Sequence, residues 1–232
     1  MNTYDSHKDI PGNPSTAKSS ELRLNLRIDN SKLKSLTESQ WSFWKKNGYV
    51  IIKEAISKKQ AEKTALFLWE FEEKDPLDKK SWYAPPRAEM KMKELANTSM
   101  VECYNHQYLW NKPITKIVYD AILDIWGIEK LWVSIERAYL NFTILPGFEY
   151  KAFIHWDYDL EKKPVNFHGV LAVSDQTDEH VVGFQCVPEL YRNYDSWKKT
   201  QFKDRNRLIT DITNFEPSIV KIETGDLIIF NS

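Results

Sequence analysis

Residues 152–164 read AFIHWDYDLEKKP, a short apolar run that ends in His155, Trp156 and Asp157 before the chain turns polar. In an extended strand, side chains two residues apart point to the same side. The spacing therefore predicts His155 and Asp157 on one side and Trp156 on the other. One neutral imidazole and one carboxylate make a mixed nitrogen and oxygen donor set that suits Fe(II), Mn(II) or Zn(II). A second imidazole would complete a facial triad with positions left open for a chelating cosubstrate and O2. On spacing alone a second reading stands beside this one, in which Asp157 caps a turn and His155 is a rim residue. The triplet is weak by itself: His7 and Asp9 repeat it inside a polar stretch.

The rest of the chain narrows the class. It has 232 residues, of which 42% are hydrophobic and 13% aromatic, so a substantial core is expected. A formal net charge of -1 argues against a nucleic-acid footprint, which needs a basic excess. Cys103 and Cys186 are too few for a disulfide scaffold and have no CxxC spacing, so reduced thiols and a cytoplasmic location are expected. The start of the sequence lacks the apolar segment of a secretory signal. No apolar window nears the ~20 residues that cross a bilayer. Residues 1–20 are rich in Ser, Asn, Asp and Pro and predict a mobile tail, with one domain over 21–232.

Working outward from the triplet, two capping boxes mark helix starts. Thr37 and Gln40 have the spacing, with Leu36 and Trp41 at the staple positions and Gly48 as a left-handed stop. Ser57 and Gln60 repeat it after the strand-like YVIIKEAI. Leu22–Ile28 alternates as a possible edge strand, and residues 75–88, with three prolines, predict a loop. In NKPITKIVYDAILDIWG, Pro113 suits a first turn. Ile114, Ile117, Val118, Ala121, Ile122 and Ile125 form one stripe, and Gly127 closes the helix. After Gly127 the period becomes that of strands. Helices first and strands second predict an α+β domain whose antiparallel sheets carry the site.

These runs together resemble one family. GYVIIKEAIS, WGIEKLWVSIERAYLNF, EYKAFIHWDYD, GVLAVSDQTDEHVVGFQCVPELYR and GDLIIFNS are similar to the phytanoyl-CoA dioxygenase family of Fe(II)/2-oxoglutarate-dependent oxygenases, from about Leu36 to Ser232. HWD followed by GVLAVSDQT and GFQCVP is specific in combination. The resemblance implies a double-stranded β-helix, or jelly roll, with flanking helices, and His155 and Asp157 as iron ligands. It implies 2-oxoglutarate as cosubstrate, ascorbate as a reductant, and hydroxylation of a small organic or acyl substrate. Arg137 and Asn141, at i and i+4 on one strand face, are candidates to hydrogen-bond the cosubstrate. An ion pair between Arg137 and a carboxylate at the strand edge is the alternative. Gln185 is a substrate-side candidate, or else a solvated glutamine on the outer face.

The chain departs from the family pattern at two places. Of the paired glycines before FQ only Gly183 is present. The third ligand histidine and the 2-oxoglutarate arginine belong after GDLIIFNS, and the sequence given ends at Ser232. The expectation is a missing last strand, weak iron binding, little turnover, and self-association through an unpaired sheet edge. His180, His168 and His106 read as solvated or packed rather than as substitute ligands, and Cys186 as a small core residue rather than a nucleophile. Trp156 is expected to pack and so to turn the two ligands outward. Two other classes remain open: an inactive relative serving as a binding protein, and a cupin-like module with a structural metal.

Overall fold

A computed structural model describes residues 32–85, 99–101, 103, 106–110, 115–127, 129, 131, 137–142, 154–156, 167–177, 183–202 and 209–231. The segments 1–20 and 22–28 lie outside them. Both capping boxes form. Thr37 caps α1 (Glu38–Asn47) and Ser57 caps α2 (Lys58–Phe71), each with the reciprocal bond from the glutamine side chain. Gly48, at φ 75°, closes α1 and delivers the chain into β1 (Tyr49–Ile52). Trp41 and Trp44, three residues apart on α1, are both buried, as is the staple partner Leu36.

Beyond α2, Asp78 caps a single helical turn, α3 (Lys79–Trp82), within the segment read as loop. The pair β2 (Met100–Val101) and β3 (Ala138–Tyr139) brackets α4 (Gln107–Trp110) and α5 (Lys116–Trp126) in the chain. Helix α5 begins at Lys116, after the extended Thr115; Pro113 and Ile114 lie outside the described residues. Its stripe differs in detail from the expected one. Val118, Ala121 and Ile125 are buried, whereas Ile117 is exposed at 38%. Asp120 and Asp124 are buried, and the chain running into α1 donates its N–H groups to Asp124.

The strand half holds β4 (Phe167–Leu171), β5 (Gln185–Cys186), β6 (Ser218–Ile219) and β7 (Leu227–Asn231). It also holds two helices the strand reading passed over, α6 (Pro188–Arg192) and α7 (Tyr194–Thr200). Pro188 stands in the first turn of α6, where a missing N–H costs nothing.

The protein is thus a mixed α+β fold with small antiparallel sheets, none of them closed among the described residues. The largest has the order β1-β7-β4. Residue alternation sends its two faces to different cores. Val50, Ile52, Leu227 and Ile229 meet Trp41 and Trp44 of α1 and Val118, Ala121 and Ile125 of α5. Tyr49, Ile51, Val170 and Ile228 meet Phe184, Cys186, Val220 and Ile222, which sit on or beside the β5-β6 ladder. Ile125, Ile228 and Ile229 are at most 1% exposed, and each such burial stabilises by roughly 1.5–3 kcal/mol. Strand β7 is the central strand, antiparallel to β1 on one side and to β4 on the other. Its backbone groups are therefore shared with two neighbours, and among the described residues the edges of this sheet are β1 and β4.

Candidate functional site

His155 lies in an antiparallel pairing. It stands opposite Ile209, and the Thr210 N–H donates to the Ile154 carbonyl at 3.4 Å. In such a pairing, residues opposite each other share a side and neighbours alternate. Ile154, Trp156 and Thr210 therefore face inward, and His155 and Ile209 face outward. Burial agrees: Thr210 is 6% exposed and Ile209 52%, while His155 is exposed. The inward side packs on Val187, Leu190, Trp197, Tyr194, Ile212 and Phe215. Trp156 meets Tyr194 edge-on at 5.7 Å between ring centroids, and lies 6.4 Å from Trp197. The sequence FIHWD thus places an indole in a core and an imidazole on the opposite side. Asp157, the expected second ligand, lies outside the described residues, as does His180.

The other candidates occupy different parts of the fold. Arg137 and Asn141 are exposed and flank β3, alternating with Ala138 and Leu140, which pack with Leu68 of α2 and Val101 of β2. The Arg137 guanidinium donates to Met100 Sδ at 3.3 Å. His155 belongs to a separate strand pair with a separate core. Gln185 is half-buried and stands opposite Ile219, which is 44% exposed. It alternates with Phe184 and Cys186, whose side chains enter the core between the sheets, so it lies on the other face of that ladder.

Burial pushes the Cys186 thiol up to about 12, which leaves it neutral and unreactive in the core. His106 stacks on Phe67 with ring centroids 3.8 Å apart and accepts the Tyr108 N–H at Nδ1. His168 sits on β4 edge-on to Phe230. Neither Cys103 nor Cys186 is disulfide-bonded.

A resident metal needs several donors converging on one position. Among the described residues no three His, Cys, Asp or Glu side chains do so. His155 is the one expected ligand among the described residues, so the described donor set is incomplete. No helix among the described residues is long and apolar enough to cross a membrane. No family model, no curated protein and no solved structure matches the chain.

Two features escaped sequence reasoning. Trp197 lies under the His155 pairing, on a helix that YDSWKKT signals only weakly. The carboxylates of Asp124 and Asp226 organise backbone far away in sequence, and only a fold discloses such partners.

Proposed function

We propose that the chain is an oxygenase of the Fe(II)/2-oxoglutarate class, with a phytanoyl-CoA dioxygenase-like jelly roll, acting on a small organic or acyl substrate. The observation that carries this reading is the outward presentation of His155 from an antiparallel pairing whose other side is anchored by Trp156. The combination of HWD, GVLAVSDQT, GFQCVP and GDLIIFNS supports it, as does an apolar core between two antiparallel sheets.

In this reading His155 and Asp157 hold iron, which with 2-oxoglutarate and O2 supplies the oxidising power. Arg137 and Asn141 hydrogen-bond the cosubstrate, and Gln185 meets the substrate. The protein's own contribution would be positioning. Two reduced cysteines in separate cores suit the cytoplasm.

The test is succinate formation with Fe(II), 2-oxoglutarate and ascorbate, run on this chain and on any longer form of its reading frame. Iron-dependent succinate, lost in His155→Ala and Asp157→Ala, supports the proposal. Bound metal without succinate from any form points to a cupin-like module instead. Absence of both points to a metal-free binding protein.

A further inference from the structure

We propose that Trp197 is the positioning residue for His155, acting on both strands of the pairing at once. The inference rests on reading His155 as a site residue. Its ring lies beside Trp156, the immediate neighbour of His155, at 6.4 Å and 43°. Its indole Nε1–H donates to the Asp211 carbonyl at 2.9 Å, two residues beyond Ile209. One side chain thus grips the strand that carries His155 and the strand that pairs with it.

The clamp adds side-chain contacts to the backbone pairing, which among the described residues comprises the His155–Ile209 bridge and the Thr210 N–H bond to the Ile154 carbonyl at 3.4 Å. Trp197 is 5% exposed, and Tyr194 from the same helix closes the cluster at 6.1 Å from it and 5.7 Å from Trp156. Helix α7 therefore serves as a backing plate, and the orientation of the outward imidazole is set from behind.

The clamp is read from the histidine side chains of the full chain by NMR, with the His155 Cε1–H signal assigned by its loss in His155→Gln. Trp197→Phe keeps an aromatic ring and removes the N–H donor, so it tests the bond to Asp211 without emptying the core. Trp197→Ala removes both grips. Leu68→Ala, in a different core cluster, controls for general loss of stability. The expected result is a shift or broadening of the His155 signal in Trp197→Phe, larger in Trp197→Ala, and no change in Leu68→Ala. An unmoved His155 signal in folded Trp197→Phe, or an equal movement in Leu68→Ala, overturns the clamp. Mn(II) added to the unsubstituted chain is a separate readout. If it fails to broaden the His155 signal, the metal reading falls and the clamp stands.

Discussion

The Lys53 ammonium lies 2.7 Å from a carboxylate oxygen of Asp226, joining the turn after β1 to the turn before β7. Asp226 is 2% exposed and also accepts the Glu54 and Glu223 N–H groups. Burial alone raises the pKa of this carboxyl. The Lys53 charge and the two N–H donors outweigh it and hold the pKa below the usual carboxylate range. Asp226→Ala leaves these donors without their acceptor, and a loss of about 3 kcal/mol is expected in urea unfolding. Lys53→Met is expected to cost less, about 1 kcal/mol or below, because Lys53 is 59% exposed and solvent screens its share.

The same carboxyl predicts a pH dependence. Its folded pKa is depressed, so its stabilisation is present above the unfolded value of about 3.9 and is lost as pH falls through the folded value. Unfolding midpoints measured between neutral pH and acid should show this decline in the unsubstituted chain and a shallower one in Asp226→Asn. Parallel curves would show that Asp226 is not the group responsible.

Gly225, beside Asp226, cannot be replaced without strain. Its φ is 98°, and a Cβ there would stand 2.6 Å from the Ile56 carbonyl oxygen, a backbone atom with little room to yield. Gly225 is also held from both sides, accepting the Ile56 N–H and donating to the Ala172 carbonyl. Gly225→Ala is expected to cost about 2 kcal/mol or more. Gly48→Ala should cost less. The atoms its Cβ would meet belong to the Tyr191 ring, a side chain rather than backbone. Thermal melts of the two variants give the order.

Asp124 shows where the sequence stops being legible. Its buried carboxylate accepts the N–H groups of Lys34, Ser35 and Leu36 at 2.8–3.0 Å, from 88 to 90 residues away. Asp124→Ala should destabilise by about 2 kcal/mol, since it strips several backbone donors of one acceptor. The capping boxes at Thr37 and Ser57 could be read in advance because both partners lie three residues apart. The outward turn of His155 followed from strand alternation and the need to bury Trp156. Its partner Ile209, like the partners of Asp124 and Asp226, depends on which distant segments meet, and local period carries no such information. The helices α6 and α7 were missed because their few turns draw their stability from Leu190 and Trp197 packing on Trp156, rather than from a long amphipathic repeat.

The metal reading makes its own prediction, in which position separates a site from a coincidence. His7 and Asp9 carry the same triplet as His155 and Asp157, in a stretch too polar to build a core. His155 projects from a strand pairing backed by aromatic side chains. Anaerobic Fe(II) affinity should therefore fall in His155→Ala and in Asp157→Ala. The fall should reach at least the 10–100-fold (an order-of-magnitude range) that follows loss of a mere supporting partner, since a direct donor is removed. Asp9→Ala should bind as the unsubstituted chain does. Affinity that is equal in Asp157→Ala and Asp9→Ala would place any bound iron elsewhere and remove the chemical basis for the oxygenase reading.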